Sequence, residues 1–151
     1  ALPRSLRPLT RPVAARDYWQ SGIRRRIAVD ELNVVLVDRR RTENSDPLDP
    51  MRQALREGSS LIIFPEGTRC KHGQVKGYKS GIVFLAEGLD MPVVPVALNS
   101  DLVWSKGAFL RRPGKVVFEF MPPMNMADYA GKKEFMAALQ EKIETACAKL
   151  G

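Results

Sequence analysis

Residues 65–69 set a proline, a carboxylate, a glycine, a hydroxyl and a guanidinium in one unbroken row, Pro65-Glu66-Gly67-Thr68-Arg69. An arginine offers a planar fork of donors that fits a phosphate or a carboxylate. Gly67 lets the backbone pass close to a ligand. Glu66 can orient an arginine or accept a hydrogen bond from a substrate hydroxyl. The same two side chains can also form an ion pair that only anchors a loop. A second group of similar character is Asp38-Arg39-Arg40. If the two segments are neighbours, Arg39 or Arg40 and Arg69 can hold one phosphate from two sides.

The elements that must position these groups are legible around them. Ser60–Phe64 is a continuous apolar run. It predicts a strand buried on both faces, ended by Pro65. Val34–Val37 predicts a second, β-branched strand. In open α/β sheets ligands bind beyond the carboxyl ends of the strands. Both arginine groups follow such ends. Pro12–Ala15 predicts a further strand. From Asp17 a helix is expected, with Trp19, Ile23 and Ile27 on one face and Gly22 weakening it. Asp49-Pro50 reads as an N-cap followed by proline at the first helical position. That helix would run through Met51, Ala54 and Leu55 and stop at Gly58.

Residues 70–77 read as an exposed loop and Ser80–Glu87 as a helix packed on a sheet. Val93–Leu98 predicts a strand in which Pro95 needs an edge or irregular position. Lys115–Phe120 predicts another strand. Phe135, Leu139, Ile143, Ala146 and Leu150 mark an amphipathic C-terminal helix suited to core packing. The order β-α-β-α-β-α-β-β-α predicts an α/β fold, a mixed and largely parallel sheet with helices packed on it.

The chain has 151 residues, 44% hydrophobic and 27% charged, which fits one domain spanning residues 1–151 with a real core. Its longest apolar stretches, Leu61–Phe64 and Met91–Leu98, are too short to cross a bilayer. No pattern of a signal peptide stands at its start. It begins with Ala and opens in a Pro/Arg-rich stretch, so a fragment of something longer is expected. Cys70 and Cys147 have neither metal nor framework spacing and read as free thiols. The net charge is +7, and residues 1–41 alone carry a surplus of six, with ten arginines, no lysine and four acids. Anionic lipid headgroups, a phosphorylated substrate or nucleic acid all fit that charge. So does a soluble basic face without a partner. No nucleic-acid motif and no stacking aromatics interleaved with basic residues are present, which argues against nucleic acid.

Phe64-Pro65-Glu66-Gly67-Thr68-Arg69 resembles, at every position, the FPEGTR motif of glycerolipid acyltransferases of the lysophosphatidic acid acyltransferase type. Val34–Arg39 is similar to the second block of that family, an apolar strand ending in Asp-Arg. Tyr78-Lys79-Ser80-Gly81 resembles its aromatic-Lys-x-Gly segment, and Met91–Leu98 resembles its fourth block. The four matches stand in order over residues 34–98.

The resemblance implies a glycerol-phosphate-acyltransferase-like α/β fold and acyl transfer in phospholipid biosynthesis. The donor would be an acyl thioester on coenzyme A or acyl carrier protein. The acceptor would be 1-acyl-glycerol-3-phosphate and the product phosphatidic acid. No cofactor and no metal are implied. Arg69 and Arg39 would bind the acceptor phosphate, with Arg40 as helper. Glu66, Gly67 and Thr68 would shape the acceptor site, and Lys79 is a further candidate. The resemblance also implies work at the cytoplasmic side of an anionic membrane surface. Trp19, Tyr18 and Arg24–Arg26 can rest there, unless Trp19 faces the core.

One departure bears on chemistry. The family's base is a His in a His-x4-Asp block, which deprotonates the attacking hydroxyl. The single histidine here is His72, with Lys76 four residues on and Gly77 five residues on, so no such block exists in the 151 residues. The expectation is N-terminal truncation, a chain inactive by itself, and a solvated His72. The alternative is a non-catalytic lipid- or phosphate-binding homologue. Asn33 stands where the family often has Gly before the second-block strand, and Ala15 lies near a place where many members carry Lys.

Overall fold

The computed structural model describes residues 3–19, 32–38, 46–68, 76–104 and 113–150. The chain forms two compact units, Ala1–Phe64 and Pro65–Gly151.

The first unit is built on three parallel strands, β1 (Thr10–Ala15), β2 (Val35–Val37) and β3 (Ser60–Ile62), in the order β2-β1-β3. The central strand is staggered. Thr10–Pro12 pair with Ser60–Ile62, and Val13–Ala15 pair with Val35–Val37. Pro12 thus sits where the ladder to β2 has not yet begun, a tolerable place for a residue without an amide proton. All three strands point their carboxyl ends the same way. A 3-10 turn, Arg16–Trp19, leaves β1 where the sequence predicts a helix. The rest of that expected helix, with Ile23, Ile27 and Arg24–Arg26, lies outside the described residues.

Asn33 leads into β2 with φ +50. That is the left-handed region, which Gly enters freely and Asn enters more readily than other side chains. The Asn33 amide donates to the Pro8 carbonyl at 3.0 Å, and its own carbonyl accepts from Arg11 Nε at 3.2 Å. The replacement of a glycine here therefore keeps the backbone shape and adds a tie to the start of β1.

Helix α1 spans Asp49–Arg56. The sequence predicts Asp49 as its N-cap, but Leu48 holds that position and Asp49 is the first helical residue. The reason is Asp46. Its carboxylate accepts the Leu48 amide at 3.0 Å and Arg52 Nη1 at 2.8 Å. Arg52 Nη1 also donates to Asp49 at 2.8 Å. Hydrogen bonds to Asp46 and then to Asp49 raise the pKa of Arg52 above its ordinary value.

The stop at Gly58 is as expected. Gly58 takes φ +84, its amide donates to Leu55 O, and the Ser59 amide donates to Ala54 O, each at 3.0 Å. These two bonds form a Schellman closure and satisfy carbonyls that the helix end would leave bare. α1 packs on β2 and β3, with Met51, Ala54, Val34 and Val35 buried.

β3 differs from its sequence reading. It is not buried on both faces. It is an edge strand, and its exposure alternates, with Ile62 at 40% and, just beyond its end, Phe64 at 56%. α1 packs against it, and Ile62 keeps much of its surface exposed.

The second unit contains α2 (Gly81–Leu89), β4 (Val96–Leu98), a short α3 (Ser100–Val103), β5 (Phe118–Phe120), a 3-10 turn at Met126–Asp128 and α4 (Lys132–Lys149). β4 and β5 are antiparallel, with Val96 opposite Phe120 and Leu98 opposite Phe118. One mixed sheet is expected; among the described residues the strands form two sheets, the parallel one of the first unit and this antiparallel pair. The predicted strand Lys115–Phe120 is ordered as a ladder only over its last three residues. Pro95 holds an irregular position. It is buried between the Val93–Met124 bridge and β4, and its carbonyl accepts the Met121 amide at 3.0 Å.

Val83, Met124, Phe135 and Leu139 form the core of this unit, and Ile143 packs against it. The last helix is thus a core helix. Tyr129 meets Phe135 edge-on at 5.2 Å. Asn99, at the end of β4, is 9% exposed. Its carbonyl oxygen accepts the Val117 amide at 2.8 Å, and its nitrogen donates to Leu150 O at 3.3 Å. One side chain thereby ties β4 to the approach to β5 and to the end of α4. Asn99→Ala leaves a partly buried amide without its acceptor, so a loss of about 1–3 kcal/mol is expected. A lowered urea midpoint at unchanged slope is the measurement. A midpoint equal to that of the parent chain would show that solvent replaces the side chain.

Candidate functional site

Arg39, Arg40 and Arg69, the three arginines nominated for phosphate, lie outside the described residues, as do Cys70 and His72. The structure describes Glu66, Gly67, Thr68 and Lys79, all in the second unit. It brings these four to one place. The Lys79 amide donates to the Pro65 carbonyl at 2.7 Å. Pro65–Thr68 is a turn, with Glu66 half-buried and Gly67 and Thr68 exposed.

Gly67 takes φ +65. An L side chain in that region costs about 1–2 kcal/mol. A Cβ there would stand 3.5 Å from Lys79 Cγ and 3.7 Å from Lys79 Cε, ordinary contact. The glycine is therefore required by backbone conformation rather than by crowding. It also lets the aliphatic stem of Lys79 lie against the turn. The ammonium group of an exposed lysine stays in water while its stem packs.

Lys79 stands two residues before α2. Ser80 is the cap residue, and its carbonyl accepts the Val83 and Phe84 amides at 3.0 and 3.3 Å. No side chain caps this end. The first amides of a helix have no acceptor within it and carry the positive end of its dipole. The turn that carries Glu66 and Thr68 is thus tied by its backbone to a lysine just before a helix start. Such an arrangement can hold an anionic group, and Glu66 and Thr68 can bond a neighbouring hydroxyl.

In the first unit, the carboxyl ends of β1 and β2 carry a pair that sequence reasoning did not single out. Arg16 Nε lies 3.2 Å from Asp38 Oδ1, both half-exposed. Ala15 and Val37 are register partners, and each of the two charged residues follows its partner directly. That adjacency was readable only once β1 and β2 were known to be neighbours. The pair commits the aspartate of the Asp-Arg-Arg group to a structural partner. The same unit has a groove of about 320 Å³ lined by Val34, Val35, Leu36, Ala54, Arg11, Gln53 and Glu57.

Comparison with known proteins bears directly on these segments. Residues 4–99 match the family model described as Acyltransferase. A 1-acyl-sn-glycerol-3-phosphate acyltransferase of Limnanthes douglasii is 37% identical over 101 residues, covering 62% of this chain and 36% of that protein. The protein of the same name from Pseudomonas aeruginosa is 29% identical over 126 residues, covering 83% of this chain and 46% of that protein. The crystal structure of the 1-acyl-sn-glycerophosphate (LPA) acyltransferase of Thermotoga maritima has a TM-score of 0.77 at 22% identity. That match covers 94% of this chain and 57% of the other, and establishes the likeness in fold. The chain spans between about a third and a half of the length of these two curated relatives. The matched region of the family model covers both strand ends and the turn with its lysine, and on that match the chain belongs to the acyltransferase family.

Proposed function

We propose that this chain carries the acceptor-binding part of an enzyme that acylates 1-acyl-glycerol-3-phosphate to phosphatidic acid. The observation that carries this reading is the closed Pro65–Thr68 turn packed on Lys79 at the head of α2. It joins two of the four matched motifs in one place. In the proposed reaction the free glycerol hydroxyl attacks the carbonyl carbon of an acyl thioester, on coenzyme A or acyl carrier protein. The new ester bond forms, the carbon–sulfur bond breaks, and the thiolate leaves. Arg69 and Arg39 take the acceptor phosphate, assisted by Arg40. Glu66 and Thr68 place the glycerol, and Lys79 adds positive charge beside Gly67.

The hydroxyl proton needs a base. None of the 151 residues forms a His-x4-Asp block. Binding of the acceptor is therefore assigned to this chain, and proton removal is not. That gap also supports the second reading, a non-catalytic lipid- or phosphate-binding homologue. A His-x4-Asp block encoded in the reading frame before Ala1 would favour the enzyme over it. Among the described residues no helix is long and apolar enough to cross a membrane. The proposed site of action is the cytoplasmic side of a membrane, where the lysolipid resides.

Titration calorimetry with lysophosphatidate tests the acceptor site. Arg69→Ala is expected to weaken binding by about tenfold or more, because a charge-assisted bidentate contact is lost. Lys79→Ala should cost only a few-fold, as an exposed point charge does. Undiminished affinity in Arg69→Ala would remove the phosphate role.

A thioester-consumption assay on the purified chain tests the division of labour. No acyl transfer is expected, because a neutral hydroxyl is a poor nucleophile without a positioned base. Transfer at an enzymatic rate, lost by about a hundredfold or more in His72→Ala, would put the base inside these residues.

A further inference from the structure

The carboxyl ends of β1 and β2 carry a charge pair where their ladder stops. Ala15 and Val37 are the last register partners. Arg16 and Asp38 come next on the two strands, with Arg16 Nε 3.2 Å from Asp38 Oδ1. Arg16 also opens the 3-10 turn Arg16–Trp19. The pair does little for stability. Its side chains are 46% and 52% exposed, so water screens the attraction while two side chains must be ordered to make it. Burial holds this region instead: Val35 is buried and α1 packs on β2.

What the pair changes is charge. Asp38 is followed directly by Arg39 and Arg40, both nominated for the acceptor phosphate. A carboxylate next to two guanidinium groups attracts them and repels an incoming phosphate. An aspartate in this place works against its neighbours unless another cation occupies it. Arg16 is such a cation, and it comes from the adjacent strand. A guanidinium suits the task, because its planar fork holds a carboxylate in a defined orientation and keeps its charge at every working pH.

We propose that Arg16 is a positioning residue for the anion site. By occupying the Asp38 carboxylate it keeps that group from competing with phosphate for Arg39 and Arg40. Arg16 acts through Asp38 and does not itself touch the ligand. This role rests on the acceptor reading above and adds a residue to it.

The test is titration calorimetry of the whole chain with lysophosphatidate, with urea unfolding of each variant alongside. R16Q should weaken binding by about three- to fivefold, the scale of a half-exposed charge pair, and leave the urea midpoint nearly unchanged. R16K keeps the cation and should bind within about twofold of the parent chain. In R16Q/D38N the competing carboxylate is gone, so the affinity lost in R16Q should return. D38N alone should change affinity by less than about twofold, because its carboxylate is already occupied. A double variant as weak as R16Q overturns the proposal, since a direct phosphate ligand or a mere tie between strands would gain nothing from the loss of Asp38. Equal gains from D38N with and without Arg16 also overturn it, because the two charges would then act independently. So does equal binding by R16Q and the parent. A parent chain that binds no lysophosphatidate would end the acceptor reading and this role together, whereas a parent that binds without the R16Q/D38N recovery would end this role alone.

Discussion

A backbone hydrogen bond from the Lys79 amide to the Pro65 carbonyl, 2.7 Å long, holds the candidate site together. β3 ends at Ile62, and Pro65, without an amide proton, cannot resume its ladder. Its carbonyl remains a strong acceptor that must be satisfied. By accepting a hydrogen bond from the Lys79 amide it brings the Pro65–Thr68 turn to the head of α2. Gly67 makes the return possible, because its positive φ bends the chain at once and leaves no side chain in the way of the lysine stem. The closed turn fixes Glu66 and Thr68 relative to Lys79 with few rotatable bonds between them. Such fixed geometry is what a site needs if binding is not to spend its energy on ordering.

That bond would be of little use if α2 were free to move. The helix is held from behind. Val83 lies in the core with Met124, Phe135 and Leu139, and Phe135 is fully buried. On its outer side Lys132 reaches Glu87 at 2.7 Å and stands 4.5 Å above the Phe84 ring. The exposed ion pair contributes up to about 1 kcal/mol and the cation–π contact a similar amount. Burial of one phenylalanine contributes about 1.5–3 kcal/mol by itself. The placement of Lys79 therefore derives mainly from apolar packing several residues away, and charge only trims it.

The sequence carried the elements and their order because periodicity and breakers are local. Gly58 ends α1 where a left-handed residue closes the last turn, and Phe135, Leu139 and Ile143 face the core as their spacing requires. It misled where the outcome depends on what lies beside an element. Leu61–Phe64 reads as doubly buried because all four residues are apolar, yet β3 lies at the edge of the described sheet and Ile62 and Phe64 stay exposed. Asp49 has the composition of a cap, but Asp46 reaches the free amide first. The Arg16–Asp38 pair required knowing that β1 and β2 are adjacent. Of the nominated site, the turn and Lys79 were legible as motifs. That they touch was not, since ten intervening residues give no distance.

The arginine surplus also takes a different meaning once partners are assigned. Charge totals treat every guanidinium as available to a ligand. Arg52 is held by two carboxylates, Arg16 faces Asp38, and Arg11 bonds the Asn33 carbonyl with Glu57 at 3.9 Å. Three of the basic groups thus serve the fold of the first unit, and the surplus overstates the charge on offer. Support for the proposed anionic ligand is therefore positional: arginines that follow strand segments in the sequence, and a lysine just before a helix start. Those same groups set the limit of the chemistry. Guanidinium and ammonium ions can bind a phosphate and steady a developing charge, but with no lone pair at neutral pH they cannot take a proton from a hydroxyl. In the proposed reaction, recognition of the acceptor and activation of its hydroxyl are thus separate tasks, and lysine and arginine are suited to the first.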